Sequence, residues 1–185
     1  MTDAGRSAAA SRLALLGGEP AVAFPLDDLV AWPVVTDEDE QAVLDVLRRR
    51  AMSGNDVTRQ FEAEMAEYFA AEHALGYCNG TAALLGAMYA CGVGRGTEII
   101  GPSLTYWASV MPAWSLGAGI VFADCRPDTL CIDPDDVEHR VTERTRAVVV
   151  THNYGHPAEM APILEIARRH GLKVIEDVSH AQGGR

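Results

Sequence analysis

The sequence has few basic residues, a single lysine and no long apolar run, and these shortages limit what the protein can be. Fifteen basic residues stand against 26 acidic ones, and the net charge of −11 argues against nucleic acid or an anionic membrane as a partner. No apolar run approaches the roughly 20 residues that a membrane-spanning helix needs. With 185 residues, of which 48% are hydrophobic, the chain has the composition of a globular domain with a core of its own.

Cysteine is also scarce, and its spacing excludes the common paired motifs. Cys78, Cys91, Cys125 and Cys131 show no two-residue spacing and lie in apolar or strand-like contexts. They predict reduced core thiols of a cytoplasmic protein.

The beginning of the chain is not typical of a secretory signal. Its apolar run, Leu13 to Leu16, is short, and the Gly17 to Pro20 segment is a poor cleavage site. Prolines then interrupt any periodicity up to Pro33. We expect residues 1–31 to form a flexible tail in front of a domain that covers residues 32–185.

Strand-like and helix-like patterns alternate along most of this domain. Two amphipathic helices are predicted first, one opening at Thr36 and one at Thr58. From Ala74 the chain repeats a short apolar strand, a turn and a helix, which predicts a mostly parallel sheet with helices on both faces, a three-layer α/β/α fold. The predicted strands are Ala74–Cys78, Glu98–Ile100, Ile120–Phe122, Ala147–Val150 and Val174–Ile175.

Polar groups follow the last of these strands. Asp177, Ser179 and His180 come directly after it, where ligands bind in open α/β sheets. An aspartate in this place can pair with a cationic ring nitrogen, as in enzymes that use pyridoxal phosphate (PLP). The alternatives are that Asp177 and Ser179 only cap the next turn, that the three residues form a hydrolase triad, or that His180 binds a metal with His152 and His156. Residues so close together in sequence cannot adopt the geometry of a catalytic triad. The spacing of the histidines is also not that of a zinc site, so no metal is predicted.

Two further segments follow earlier strands. Gly80, Thr81 and Ala82 open a helix, and free amides with a threonine hydroxyl suit a phosphate there. Tyr106 and Trp107 follow the second strand, where a ring could stack on a planar cofactor. The alternatives are that Thr81 is a plain helix cap and that the aromatic residues belong to the core.

Taken together, the segments resemble the DegT/DnrJ/EryC1/StrS family of PLP-dependent sugar and cyclitol aminotransferases, which have the aspartate aminotransferase fold (fold type I). The similarity runs from about Trp32 to Arg185, and five motifs in the same order carry it. These motifs are Phe61–Tyr68, Asn79–Leu84, Pro102–Tyr106, His152–Gly155 and Glu176–Gly183.

The resemblance implies PLP as the cofactor and suggests a role for each motif. The Gly80–Ala82 turn would hold the phosphate, and Tyr106 would stack on the pyridine ring. Asp177 would pair with the ring nitrogen and keep it protonated. His180 would donate a hydrogen bond to the phenolic oxygen of the ring, where many relatives have glutamine.

One feature departs from the family pattern. The Schiff-base lysine of the family lies beyond its aspartate motif, in a segment that this chain does not contain. Lys173 precedes Asp177 by four residues, which places it roughly 13 Å away toward the opposite end of the sheet. We therefore predict no catalytic residue here and expect a truncated large domain, inactive alone, without its C-terminal remainder and small domain.

The resemblance also implies an activity for the parent protein. It would move an amino group from glutamate or glutamine to a nucleotide-linked keto-sugar or a cyclitol ketone, in antibiotic or cell-envelope biosynthesis, as a homodimer. Two alternatives stay open. One is a PLP-dependent sugar dehydratase of the same family, in which histidine replaces the lysine, and the other is a non-catalytic truncated remnant.

Overall fold

The structure, a computed structural model, describes residues 13–24 and 32–184. By its internal contacts the chain divides into two units, Met1–Gly54 and Asn55–Arg185. Most of the tail predicted over residues 1–31 lies outside the described residues. Within the described ranges, no helix has both the length and the apolar character needed to cross a membrane.

The first unit contains helix α1, Asp37–Arg48, which begins where the sequence predicts. The Thr36 hydroxyl accepts from the N–H of Asp39, and the Asp39 carboxylate accepts from the N–H of Thr36 at 2.8 Å. This reciprocal capping box satisfies two of the unpaired amides at the helix start. Four acidic residues in the first turn and Arg48 in the last agree with the helix dipole. A short 3-10 turn, Ala14–Leu16, precedes it.

The second unit is built on four parallel strands. They are β1 (Glu98–Pro102), β2 (Gly119–Ala123), β3 (Thr145–Thr151) and β4 (Lys173–Asp177), and their order across the sheet is β2-β1-β3-β4. Each was predicted from its apolar, β-branched core. Parallel neighbours require crossover connections, which place helices over the sheet.

Of the described helices of this unit, two precede the sheet in the chain, and the others lie in its crossovers. The first two are close to the predicted ones, whereas the crossover from β1 to β2, where a helix is also predicted, holds only a 3-10 turn and a single α-helical turn. The α-helices are α2 (Asp56–Tyr68), α3 (Gly80–Ala90), α4 (Pro112–Ser115), α5 (Pro134–Arg140) and α6 (Met160–His170), and the 3-10 turns are Trp107–Ser109 and Asn153–Gly155.

Side chains of β3 alternate between two cores. Val148 and Val150 pack with Val137 of α5 and Ile163 of α6 in one hydrophobic cluster. Their neighbours Ala147 and Val149 belong to a second cluster, with Met88 of α3 and Ala113 of α4. Because successive side chains of a strand point to opposite faces, the two clusters are the two sides of the sheet. The three-layer α/β/α prediction is confirmed.

The strand predicted over Ala74–Cys78 is wrong. This segment has no regular structure, and Leu75 is 73% exposed. The N–H of Gly76 is donated to the Glu62 carboxylate at 2.7 Å and not to a neighbouring strand. A strand is stable only when its backbone groups have a partner, and no strand of the described sheet lies beside this segment to provide one.

The prediction of four core thiols holds only in part. All four cysteines are free, and Cys131 is buried, but Cys78 is exposed. Its exposure has the same origin as the missing strand, because it is the last residue of the unpaired segment. Burial raises the pKa of the Cys131 thiol, and a backbone hydrogen bond to its sulfur offsets part of this rise.

Two neighbours on α6 allow a test of this layered core. Ile163 is fully buried between α6 and the sheet, whereas Leu164 beside it is 51% exposed. We expect Ile163→Ala to lower the free energy of unfolding by about 2–5 kcal/mol, because it leaves a cavity. Leu164→Ala is the matched control and should change it by less than about 1 kcal/mol. Urea denaturation measures both, and equal losses in the two variants would contradict the described face of α6.

Candidate cofactor site

Asp177 is the last residue of β4 and lies beside Thr151, the last residue of β3. It is only 8% exposed. The Ser109 hydroxyl donates to Oδ2 at 2.6 Å, and Ser179 donates to Oδ1 through both its hydroxyl, at 2.5 Å, and its N–H, at 3.1 Å. The interpretation that Asp177 only caps the next turn is therefore incomplete, because a donor from a distant segment also binds it.

These contacts determine the charge of the carboxyl group. Burial acts to raise the pKa of Asp177, because a carboxylate loses hydration there. The hydrogen bonds from Ser109 and Ser179, with the charge of His180, act in the opposite direction, and the net result is a pKa below the ordinary 3.8. Asp177 is therefore a carboxylate at neutral pH.

The start of α3 presents unpaired amides. Asn79 is the cap, since its Oδ1 accepts from the N–H of Ala82 at 2.9 Å. The alternative that Thr81 caps the helix is wrong, because Thr81 lies inside the first turn. The N–H groups of Gly80 and Thr81 have no hydrogen-bond partner within the described part of the chain. A helix start of this kind attracts an anion such as phosphate.

The helix start and the end of β4 meet in one groove. Gly80 and Ala83 line it from α3, and Asp177 and Ser179 line it from the other side, around a volume of about 300 Å³. Thr81 and Ala82 face an adjoining groove of about 410 Å³, with Asn79 and Trp107. The structure thus brings the predicted phosphate turn and the predicted ring partner together.

Tyr106 is not among the residues that line these two grooves. Its side chain is 65% exposed, and its ring packs on Trp107 with centroids 5.2 Å apart. Trp107 is itself 52% exposed, so the alternative that these aromatic residues form part of the core is wrong for both. In this structure Trp107, and not Tyr106, lines the groove beside the helix start.

His180 is held by a segment that sequence reasoning did not assign to it. The backbone N–H of Tyr154 donates to Nδ1 of His180 at 3.3 Å, and the two rings stack. Because Nδ1 accepts, the neutral imidazole carries its proton on Nε2, where it can act as a donor. Tyr154 and Gly155 both have left-handed backbone conformations, at φ 53° and 82°. A Cβ on Gly155 would approach the His180 carbonyl oxygen at 3.2 Å.

The hydrolase interpretation does not fit these contacts. The Ser179 hydroxyl is donated to Asp177, and Nδ1 of His180 is occupied by the Tyr154 amide, so no serine–histidine bond is present. A hydrolase needs its serine to give the proton to a histidine.

The metal interpretation also lacks a structural basis in the described residues. His152 is buried, with Nδ1 accepting from the N–H of Ala158 and Nε2 donating to Glu176 at 3.0 Å. Both of its nitrogens are therefore already bonded within the protein. No group of three ligating side chains comes together in the parts of the chain that the structure describes.

Sequence reasoning missed Ser109, Thr105 and Thr151. Their hydroxyls form a connected series that ends at Asp177. Only weak features of the sequence could have indicated these contacts. Thr105 and Ser109 are four residues apart, and Thr151, like Asp177, is the last residue of a strand. Only the order of the strands in the sheet shows that these positions meet.

Lys173 lies where the sequence places it. It is the first residue of β4 and is exposed, and Asp177 is the last residue of the same strand. The single lysine of the chain and the Asp177 carboxylate therefore face opposite ends of the sheet.

Comparison with known proteins identifies the family. The model of the DegT/DnrJ/EryC1/StrS aminotransferase family matches residues 33–185. The chain belongs to this family of PLP-dependent aminotransferases.

Three similar proteins show how far the likeness extends. The L-glutamine:2-deoxy-scyllo-inosose aminotransferase of Streptomyces kanamyceticus is 41% identical over 180 residues, which is 94% of this chain and 42% of that protein. The crystal structure of 3-amino-5-hydroxybenzoic acid synthase matches 83% of this chain and 40% of its own, with 36% identity and a TM-score of 0.78. The crystal structure of NtdA from Bacillus subtilis with the bound cofactor PMP matches 86% and 36%, with 29% identity and a TM-score of 0.74.

The chain thus spans about two fifths of the length of these relatives. Pyridoxal phosphate is the cofactor of the family, and PMP is its amine form. Two groups of the site fit its parts: unpaired helix amides fit the phosphate, and an ionised carboxylate fits a protonated ring nitrogen. His180, whose imidazole N–H is expected to meet the phenolic oxygen, is not among the residues that line either groove.

The lowered pKa of Asp177 predicts how acid affects the fold. A carboxylate whose pKa is lower in the folded state stabilises the fold above its unfolded pKa, and this contribution is lost as the pH falls through the folded pKa. Asp177→Asn should therefore be less stable than the unmodified chain near pH 7, and the difference should shrink below about pH 4. Denaturation of both proteins across this range measures it. A difference that is constant down to about pH 2 would contradict the assigned charge.

Proposed function

We propose that this chain forms the cofactor-binding part of an aminotransferase that moves an amino group from glutamine or glutamate to a cyclitol ketone. A nucleotide-linked keto-sugar is the other acceptor class that the family resemblance allows. The observation that carries the proposal is the groove in which the ionised Asp177 faces the open start of α3. The 41% identical relative uses L-glutamine and 2-deoxy-scyllo-inosose, which favours glutamine and a cyclitol here.

Each group of the site has a role in this proposal. The amides of Gly80 and Thr81, with the Thr81 hydroxyl and Ala82, would hold the phosphate at the helix start. Asp177 would accept from the protonated ring nitrogen, and His180 would donate through Nε2 to the phenolic oxygen. When bound, PLP supplies the electron sink for amino-group transfer.

The aromatic contact needs an adjustment of the side chains. Tyr106 is the ring-stacking residue by resemblance, but it lies outside the groove lining, and Trp107 is nearer to the helix start. We propose that Tyr106 stacks on the ring after its exposed side chain turns toward the groove. Side-chain rotation of an exposed aromatic residue is rapid, so this requires no change of the fold.

We assign no residue of this chain as the lysine that links the cofactor covalently in the family. Lys173 is the only lysine, and it lies at the far end of β4. We infer that this chain alone binds PLP without a covalent bond and does not complete a catalytic cycle. The same proposal includes a homodimer for the whole protein, as in the family, and a cytoplasmic location, which the four free cysteines support.

The dehydratase alternative receives less support than amino transfer. A sugar dehydratase of this family would use histidine in place of the lysine, at a position that this chain does not show. The relative with 41% identity is an aminotransferase. The remnant alternative predicts no ordered cofactor groove, whereas the Asp177 carboxylate that lines the groove here is buried and hydrogen-bonded.

Cofactor binding by this chain is the first test. PLP should bind reversibly, and borohydride treatment should label Lys173 no more in the unmodified chain than in Asp177→Ala, because that side chain is at the wrong end of the sheet and reacts only as an exposed amine. Lys173→Met should bind PLP as the unmodified chain does, whereas Asp177→Ala should bind at least about tenfold more weakly. Fluorescence titration and mass spectrometry provide the measurements. Labelling of Lys173 that Asp177→Ala abolishes, or full affinity in Asp177→Ala, would overturn the proposed site.

The reaction is tested on the whole protein that carries this chain. With glutamine labelled by ¹⁵N at the α-amino group and 2-deoxy-scyllo-inosose as acceptor, we expect the label in the amine of the cyclitol product. A nucleotide-linked keto-sugar serves as the competing acceptor, and mass spectrometry follows both products. Loss of water from a sugar without transfer of ¹⁵N would instead support the dehydratase alternative.

A further inference from the structure

Three hydroxyl groups form a continuous series that leads to the Asp177 carboxylate. Oγ1 of Thr151 lies 2.9 Å from Oγ1 of Thr105, which lies 2.9 Å from Oγ of Ser109. The Ser109 hydroxyl then reaches Oδ2 of Asp177 at 2.6 Å. We call Thr151, Thr105 and Ser109 the hydroxyl series.

The direction of every hydrogen bond in the series is forced. Asp177 is ionised, so it only accepts, and the single hydroxyl proton of Ser109 goes to it. Ser109 must then accept the proton of Thr105, and Thr105 must accept the proton of Thr151. All three hydroxyl dipoles therefore point toward the carboxylate, an arrangement in which each bond strengthens the next.

The series is deeply placed and comes from separate parts of the chain. Ser109 is fully buried and Thr151 is 6% exposed. Ser109 and Asp177 are 68 residues apart, and Thr105 and Thr151 are 46 apart. Burying hydroxyl groups costs free energy unless they are bonded, so an apolar residue would be the simpler filling for these positions. What the hydroxyl groups add is a set of donors aimed at one charge.

The same contacts distinguish the two oxygens of Asp177. Oδ1 accepts twice, from the hydroxyl and the N–H of Ser179, whereas Oδ2 accepts once, from Ser109. A carboxylate oxygen has about two acceptor positions. Oδ2 is therefore the oxygen with an open position, and Asp177 lines the groove that contains the start of α3.

We propose that Ser109, supported by Thr105 and Thr151, is a positioning residue that holds the Asp177 carboxylate charged and oriented so that Oδ2 receives the N–H of the cofactor ring. The inference rests on the proposed function, since it assigns the partner of Asp177. Ser109 itself has its proton committed to Asp177, so it acts on the cofactor only through that carboxylate.

The chain offers a matched control for a test of this role. Thr145 is a buried threonine at the opposite end of β3, and its hydroxyl donates to the Glu98 carboxylate. Thr145→Val thus removes a buried hydroxyl–carboxylate bond far from Asp177. Ser109→Ala, Thr105→Val and Thr151→Val remove members of the hydroxyl series that are one, two and three hydrogen bonds from the carboxylate.

Two measurements separate a positioning role from a purely structural one. The first is the pKa of Asp177 in the cofactor-free chain, followed by NMR of ¹³C-labelled aspartate, with Asp177→Asn to identify its signal. The second is the dissociation constant for PLP, measured by fluorescence titration. His180 is the titratable group whose charge acts on Asp177 in the described structure, and all four variants retain it.

We expect Ser109→Ala to raise the pKa of Asp177 and to weaken PLP binding about tenfold or more, because a hydrogen bond to a charged group is lost. Thr105→Val should have a smaller effect in the same direction, and Thr151→Val the smallest. Thr145→Val should leave both quantities unchanged even where it lowers stability.

The outcomes distinguish this inference from the proposed function. If the unmodified chain does not bind PLP, the proposed function fails, and the pKa series still decides whether the hydroxyl series acts on Asp177. If PLP binds but Ser109→Ala matches Thr145→Val in both measurements, the positioning role is wrong and the proposed cofactor site stands.

Discussion

A charged carboxylate buried at the end of an inner strand is the constraint on which this structure depends. Asp177 loses most of its hydration there, and a charge in such a place is stable only with donors around it. Three hydrogen bonds from Ser109 and Ser179 supply them, and they are sufficient to lower the pKa below its ordinary value. The loop after β1, the end of β3 and the turn after β4 must all be in place for the charge to be tolerated.

The parallel sheet is what makes this convergence possible. Because β1, β3 and β4 are neighbours and run in the same direction, the segments that follow them lie at one edge. Thr105 follows β1, Thr151 ends β3 and Ser179 follows β4, and the start of α3 lines a groove with Ser179. The proposed cofactor site is thus a consequence of strand order, and apolar packing on both faces of β3 holds that order.

Much of this could be predicted from the sequence, and the failures have physical causes. The Val148–Val150 run and the Asp177 motif were informative because local composition determines a buried strand and the residue at its tip. Ala74–Cys78 has a similar composition, but a strand also needs a neighbouring strand to pair with. Composition does not show which segments will lie side by side. Ser109 was missed for the same reason: a serine among small residues has no periodic signal, and its partner is 68 residues away.

The two ends of β4 explain why the proposed site separates binding from covalent chemistry. The strand begins at Lys173 and ends at Asp177, and residues at opposite ends of a strand do not reach one ligand. The groups that face the groove are a carboxylate, helix amides and hydroxyls, all suited to holding an anionic, protonated heterocycle without a bond to it. In the proposed site, recognition of the cofactor would therefore depend on charge and hydrogen bonding fixed by the sheet, and a covalent link would be added to a site that is already shaped for its ligand.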